Sequence, residues 1–210
     1  MIEVRTVYQV KFGKIDQAVE LFRRLTSYLP EEVAATAHYH LLSDISGPMY
    51  TLAEEFVLPS LTEWEASRER LFNHPEFANW FKGFQLFIDN GRQEFYTVEG
   101  ECEDWSRTGV IVVRQNYRAR QWQIRQAVDL LRRYGALMVD SGVGRKPRIT
   151  TDVSGPMFQA VIEVEVDNLA DWEAHRRSMF LRPEFQVWFV QLMNAVEAGA
   201  HEFFRVEVAG

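Results

Sequence analysis

The chain contains an internal repeat, and this repeat limits the folds that are open to it. The segment Ser46–Met49 recurs as Ser154–Met157, and the spacing of 108 residues then holds without a gap to the end of each copy. From residue 46 to residue 99, 21 of 54 positions are identical in the second copy, whereas unrelated sequences of average composition would share about three. Upstream, a spacing of 109 aligns Gln17–Val19 with Gln126–Val128. Similarity of this length indicates a duplicated structural unit.

The repeat also predicts the domain boundaries. The 210 residues divide into a first half over 1–99, a short acidic linker over 100–107 and a second half over 108–210. Two domains of this size are compatible with the total length.

Each copy shows the pattern strand, helix, strand, strand, helix, strand. Residues 2–10 alternate in polarity, as a half-buried strand does, and apolar residues at helical spacing follow over 15–25. Three further strands are predicted in the first copy, at about Ala37–Leu42, Met49–Val57 and Arg92–Val98.

The second helix of each copy has recognisable start and stop signals. In the first copy, Ser60 with Glu63 forms a capping box, Pro75 interrupts the helix, and Gly91 is a plausible left-handed cap at its end. Asn168 and Asp171 repeat the capping pattern in the second copy.

This order of elements is that of the ferredoxin-like unit, in which two helices cover one face of a four-stranded antiparallel sheet. The other face of the sheet needs a cover, and a tandem copy supplies one. We therefore predict an α+β protein in which tandem ferredoxin-like βαββαβ repeats pack sheet to sheet as a pseudo-dimeric, eight-stranded α+β barrel. The assembly would be a pseudo-dimer within one chain, and further homo-oligomerisation is left open.

Five motifs occur in the same order in both copies. In the first copy they stand at Asp44–Pro48, Glu55, Ser60–Trp64, Pro75–Phe81 and Gly91–Phe95. On these motifs the chain resembles the NIPSNAP-like branch of the dimeric α+β barrel superfamily. The resemblance implies the barrel fold. For function it implies a range that includes cofactor-free monooxygenases of antibiotic biosynthesis, haem-degrading monooxygenases, isomerases and binding proteins.

Charge and composition argue against several partners. The chain has 23 Lys and Arg against 30 Asp and Glu, a net charge of −7, which argues against nucleic acid and against an anionic membrane surface. No apolar run approaches the ~20 residues of a membrane-spanning helix. The charged N-terminus argues against an export signal. The single cysteine, Cys102, cannot form an internal disulfide, so we expect a cytoplasmic protein.

The sequence contains no strong catalytic signature. It has no Gly-rich phosphate loop, no zinc-spaced Cys/His set and no nucleophile elbow. Cys102 lies among acidic residues that disfavour its thiolate. We predict no cofactor and no metal site, and the sequence leaves open whether the chain is an enzyme.

Polar side chains on the strand face opposite the predicted helices form one candidate site. The set comprises Arg5, Arg114, Arg148, Glu55, Glu163 and His40. Two interpretations stay open. The arginines and glutamates could form a network that fixes the register of the two halves. Alternatively, Arg5, Arg114, Arg148 and Glu55 could bind a carboxylate or phenolate ligand, with His40 or Glu163 as the catalytic group that exchanges protons.

Aromatic side chains form the other candidate site. Trp64 and its copy Trp172 lie on helices rich in Trp and Phe. They could pack in the core, or they could line a cleft between helices and sheet that binds a flat aromatic or lipid-like ligand.

Three functions follow from these patterns. The favoured one is a binding protein for a flat aromatic or lipid-like small molecule. The second is a cofactor-independent monooxygenase or isomerase that acts on an aromatic or polyketide-like substrate. The third is a haem-binding protein that uses a histidine such as His38 or His40.

Overall fold

The computed structural model describes residues 1–26, 38–100, 107–142 and 147–210. Within these residues the first copy contains four strands and three helices. The strands are β1 (Ile2–Val10), β2 (His38–Ser46), β3 (Thr51–Leu58) and β4 (Ile88–Val98). The helices are α1 (Ile15–Thr26), α2 (Leu61–Phe72) and α3 (Pro75–Phe84). Cys102 and most of the predicted linker lie outside the described residues.

The second copy repeats this order of elements. Its strands are β5 (Ile111–Ala119), β6 (Arg148–Asp152), β7 (Gln159–Val166) and β8 (Val196–Ala209). Its helices are α4 (Ile124–Asp140), α5 (Leu169–Phe180) and α6 (Pro183–Ala195). None of the described helices combines the length and the apolar character that a bilayer crossing requires.

Hydrogen bonding joins all eight strands in the order β1-β3-β2-β8-β5-β7-β6-β4, which closes as a barrel. The pairs β1–β3, β2–β3, β5–β7 and β6–β7 are antiparallel. The predicted α+β class, with two tandem ferredoxin-like repeats in one closed barrel, is thereby confirmed.

The chain forms two compact units. Of the described residues, the first unit contains those of 1–95 together with 107–109 and 205–210, and the second contains those of 96–100 and 110–204. The core of the first unit includes Phe22, Leu41 and Phe84, which are fully buried. The core of the second includes Leu131 and Trp188.

The repeated Asp-x-Ser-Gly-Pro motif forms the turn between the second and third strands of each unit. The side chain of Asp44 accepts a hydrogen bond of 2.8 Å from the Thr51 backbone N–H. Asp152 accepts the matching bond of 2.7 Å from Gln159. Gly47 adopts a φ of 105° in this turn, a conformation that side-chain-bearing residues rarely adopt.

The helix signals act as predicted at Ser60 and Asn168. The Ser60 hydroxyl accepts a hydrogen bond from the Glu63 N–H at 3.2 Å, and the Asn168 side chain accepts one from the Asp171 N–H at 2.9 Å. The predicted interruption at Pro75 is confirmed: α2 ends at Phe72 and a new helix, α3, begins at Pro75, whose fixed φ suits the first helical position.

The prediction for Gly91 is wrong. The helix ends at Phe84, and Gly91 lies inside strand β4. A Cβ atom at Gly91 would come within 3.1 Å of the Tyr8 ring, and the matching Gly199 is equally close to Tyr117. The glycine therefore lets an aromatic ring pack against the strand backbone.

Candidate ligand-binding site

A cavity of about 320 Å³ lies in the first unit between helices α2 and α3 and the strand face that they cover. Most of its wall is apolar or aromatic, from Tyr8, Leu25, Phe56, Trp64, Leu71, Phe72, Phe77, Trp80 and Phe81. Its polar groups come from Thr6, Glu54, Arg68, Arg92 and Gln93.

Strand and helix periodicity explain why these side chains converge. Thr6 and Tyr8 are two residues apart on β1, as are Glu54 and Phe56 on β3, so each pair projects to one face of the sheet. On α2, Trp64, Arg68 and Leu71 follow the spacing of one helical face. The cavity is therefore formed between regular elements.

Glu54 is the buried acid of this cavity. Its side chain is only 7% exposed, and the Tyr8 hydroxyl donates a hydrogen bond of 3.0 Å to its Oε2 atom. Burial raises the pKa of Glu54 to about 7, although the neighbouring hydroxyls of Tyr8 and Tyr39 act in the opposite direction. Glu54 is therefore close to half-ionised at neutral pH.

The hydroxyls beside Glu54 are held in their neutral form. Burial, followed by the charge of Glu54, raises the pKa of both Tyr8 and Tyr39 well above the ordinary value. The two phenols therefore keep their protons over the physiological pH range, and Glu54 is the group in this cluster that can exchange a proton.

The cationic wall of the cavity is provided by Arg68. Its guanidinium lies 4.8 Å from the centre of the Phe72 ring. Arg68 forms no ion pair within the part of the chain that the structure describes, whereas Arg92 pairs with Glu94 at 3.0 Å. Nearby, the Gln93 amide donates a hydrogen bond of 2.9 Å to the Thr6 hydroxyl.

Within the aromatic wall, the side chain of Trp80 is held in place by a hydrogen bond and by ring stacking. Its indole N–H donates a hydrogen bond of 2.7 Å to the backbone oxygen of Leu21 on α1. Its ring stacks on Phe84, with centroids 5.1 Å apart and planes 13° apart. An indole held in this way offers a flat, rigid surface to a bound ring.

The same region of the second unit is packed differently. Ile162 occupies the position of Glu54, and the matching tryptophans Trp172 and Trp188 are buried. Trp64 and Trp80 are only half-buried. The acid and the partly open tryptophan surfaces therefore belong to the first unit.

The predicted Arg–Glu candidates lie on the alternate strand face. Arg5 Nη1 is 2.9 Å from Glu55 Oε1 in the first unit. In the second unit, Glu163 forms ion pairs with both Arg114 and Arg148.

These charged side chains are at most 3% exposed, and none of them lines the 320 Å³ cavity. His40 is buried and lies opposite Glu55 in the β2–β3 register. Of the predicted site residues, only Trp64 lines the cavity, while Trp172 packs in the core of the second unit.

Sequence reasoning did not select Glu54, Tyr8 or Arg68. A usable signal for Glu54 was its position on a strand face with Leu52 and Phe56, where a carboxylate is unexpected. The repeat strengthens this signal, because Ile162 stands at the matching position.

A larger depression of about 510 Å³ lies in the second unit, but its chemistry is that of a charged surface. Its wall includes Arg132, which pairs with Asp129 at 3.1 Å and with Glu99 at 3.3 Å. These half-exposed charges already neutralise one another, so this depression is a weaker candidate for a ligand site.

No protein-family model and no curated protein matches the sequence significantly. Solved structures match the fold along the whole chain. One is a protein from Fusobacterium nucleatum that carries the provisional name monooxygenase (TM-score 0.77, 8% identity, 99% of this chain and 93% of that chain covered). Another is an anthrone oxidase-like protein (TM-score 0.67, 12% identity, 98% and 90% covered).

A heme-binding protein from Thermus thermophilus also matches over 98% of this chain and 90% of its own, with a TM-score of 0.59 and 12% identity. A NIPSNAP domain protein from Burkholderia xenovorans covers 50% of this chain with all of its own length (TM-score 0.44, 15% identity). The three whole-chain matches agree with the fold predicted from the repeated motifs: the chain has a dimeric α+β barrel fold, with both ferredoxin-like repeats on one polypeptide.

Proposed function

We propose that the chain is a small-molecule binding protein that takes a flat aromatic ligand in the cavity of the first unit. The observation that carries this proposal is an aromatic wall around a single buried carboxyl group, that of Glu54. Apolar walls with a few placed polar groups are typical of ligand sites.

The size and shape of the cavity support a flat ligand. A volume of about 320 Å³ lies at the lower end of the roughly 300–1,000 Å³ that such sites span. Trp64 and Trp80 are half-buried, so each leaves part of its ring surface free to contact a planar molecule. A lipid-like ligand would gain burial but little stacking, and it is therefore the less favoured occupant.

A second candidate function is cofactor-independent catalysis, as a monooxygenase or isomerase of an aromatic or polyketide-like substrate. The specific observation in its favour is the pKa of about 7 at Glu54, which suits a general base near neutral pH. The similarity in fold to an anthrone oxidase-like protein supports the same substrate class. Glu54 is better placed for this role than Glu163, which is held between two arginines.

The haem alternative has less support. A similar fold is found in a heme-binding protein, but no histidine lines the 320 Å³ cavity in the described part of the chain. Haem is therefore retained as a probe in the binding test.

A thermal-shift screen of the purified protein tests the binding proposal. The probes are 1-naphthol, palmitate and haem, and an absorbance spectrum recorded first reports any ligand that co-purifies. Binding at 100 times Kd stabilises the folded protein by about 2.7 kcal/mol, so 1-naphthol should raise the Tm by several degrees.

Two variants locate the binding. Trp64→Leu should remove most of the 1-naphthol shift, because Trp64 lines the cavity. Trp122→Leu should leave the shift intact, because Trp122 is 86% exposed and lies outside the cavity. Absence of a shift with every probe would contradict the binding proposal.

Catalysis is tested separately with anthrone, a flat ketone whose ring C–H is acidic. The Glu54 carboxylate would accept that proton and exchange it with solvent. In deuterated buffer, NMR should show loss of the C–H signal with the wild type and not with Glu54→Gln. Equal exchange with both proteins would exclude Glu54 as the base.

A further inference from the structure

The two units hold the tryptophan of their third helix, Trp80 on α3 and Trp188 on α6, in the same way. Trp80 donates its indole hydrogen bond to the Leu21 oxygen at 2.7 Å, and Trp188 donates to the Leu130 oxygen, also at 2.7 Å. Leu130 is the repeat equivalent of Leu21. Matching positions on α1 and α4 can therefore be compared by the side chain that each places next to Trp80 or Trp188.

One helical turn further on, the two units differ. The first has Leu25, which lines the cavity, and the second has Tyr134. The Tyr134 ring is buried and stacks on Trp188, with centroids 4.3 Å apart and planes 19° apart. The second unit thus places a phenol of its own in the region where the first unit has a shorter aliphatic side chain and a cavity.

The surroundings of the Tyr134 hydroxyl also have counterparts in the cavity. Burial raises the pKa of Tyr134, while Gln115 and the charge of Arg176 oppose that rise. The repeat equivalents of Gln115 and Arg176 are Thr6 and Arg68, and both line the cavity.

The two arginines are placed alike on their helices. Arg68 lies over the ring of Phe72 at 4.8 Å, and Arg176 lies over the ring of Phe180 at 5.8 Å. Phe180 is the repeat equivalent of Phe72. Arg68, at the wall of the first cavity, is therefore the counterpart of Arg176, whose charge opposes the rise in the Tyr134 pKa.

We propose that the first-unit cavity binds a phenol, with the ring on Trp80 and the hydroxyl towards Thr6 and Arg68, in the pose that Tyr134 adopts in the second unit. This inference rests on the proposed function and adds the ligand class, the pose and the stoichiometry. Because Tyr134 already fills the second position, one chain binds one ligand.

Isothermal titration calorimetry of the full chain with 1-naphthol and with naphthalene tests the ligand class. The two probes share the same rings and differ in the hydroxyl. We expect one 1-naphthol per chain and roughly tenfold weaker binding of naphthalene, which lacks the hydrogen bond to a charged group.

Two pairs of variants test the pose. Leu25→Tyr should place a ring against Trp80 within the first cavity and weaken 1-naphthol binding by roughly tenfold or more, whereas Leu25→Met should preserve it. Tyr134→Leu should open a second site and raise the stoichiometry to two, whereas Tyr134→Phe should leave it at one. Circular dichroism confirms that each variant is folded, and the two pairs provide independent results.

The outcomes separate this inference from the proposed function. Equal binding of naphthalene and 1-naphthol overturns recognition of the hydroxyl, and undiminished binding to Leu25→Tyr overturns the pose; in both cases small-molecule binding in the wild type still stands. Binding of haem or palmitate without 1-naphthol overturns the phenol class. Failure of all these probes to bind overturns the inference and the proposed function together.

Discussion

The Tyr8 hydroxyl donates a hydrogen bond of 3.0 Å to the carboxyl group of Glu54 on the neighbouring strand β3. Both side chains are in the apolar interior of the first unit, beside the cavity. An acid with one donor and little water is costly to ionise. The cavity thus contains a group whose charge depends on pH near neutrality.

Glu54→Gln should change the pH dependence of stability. The fold raises the pKa of Glu54 from 4.5 to about 7. Below pH 4.5 the acid is protonated in both the folded and the unfolded chain, so its contribution to stability is fully present there. As the pH rises to about 7, only the unfolded chain ionises freely, and about 3 kcal/mol of stability is lost.

Urea unfolding between pH 4.5 and 8 measures this effect. The free energy of unfolding of Glu54→Gln should fall less steeply than that of the wild type. Glu65→Gln, on the exposed face of α2, is the matched control and should follow the wild-type slope. Parallel curves for wild type and Glu54→Gln would contradict the assignment.

Tyr8→Phe should raise the pKa of Glu54 further, because the Tyr8 hydrogen bond favours the ionised carboxylate. The midpoint of the pH-dependent stability change should move to a pH above 7. Tyr117→Phe is the control, because Tyr117 donates to the Gln115 amide oxygen at 2.8 Å and has no acid at the matching position. A downward move of the midpoint in Tyr8→Phe would refute the proposed role of the hydroxyl.

Arg148→Ala should destabilise the protein strongly. Arg148 Nη2 is 2.7 Å from Glu163 Oε2, and both side chains are 1% exposed. Loss of one partner from a buried pair typically costs about 3–5 kcal/mol, and the lower end of this range is expected because Arg114 still pairs with Glu163. Arg177→Ala breaks an exposed pair with Glu173 and should cost less than about 1 kcal/mol. Chemical denaturation gives the free energy of unfolding of both variants. Similar losses of this free energy would show that the buried pair stabilises the protein no more than the exposed pair.

Removal of residues 205–210 should affect the first unit, although these residues follow the second copy in sequence. The Tyr39 N–H donates to the Gly210 oxygen at 2.7 Å, and the Ser43 hydroxyl donates to Glu207 at 2.7 Å. We expect a lower Tm and loss of 1-naphthol binding. Deletion of Gly210 alone is the control and should have a smaller effect. Unchanged binding after the larger deletion would show that the cavity does not depend on this segment.

The fold was predictable because its determinants are local and repeated. The turn at Asp44 and the cap at Ser60 each need a particular residue type at a fixed spacing, and such patterns are visible in sequence. The duplication made them visible twice. The second strand face also needed a cover, which led directly to the barrel.

The candidate site was only partly predictable. Trp64 was selected from the aromatic pattern, but Glu54 was not, because a polar residue beside Glu55 reads as part of one charged segment. The raised pKa of Glu54 depends on burial by helices distant in sequence, and strand periodicity alone does not report that burial. Likewise, the sequence does not show that Leu25 and Tyr134 lie next to equivalent tryptophans. That equivalence comes from the matching indole hydrogen bonds of Trp80 and Trp188.

The last six residues belong to the first compact unit, which has a consequence for biosynthesis. Domains generally fold in order as they leave the ribosome, but here the first unit lacks part of a strand until residues 205–210 have been synthesised. A product that stops within the second copy would therefore leave the first unit incomplete as well.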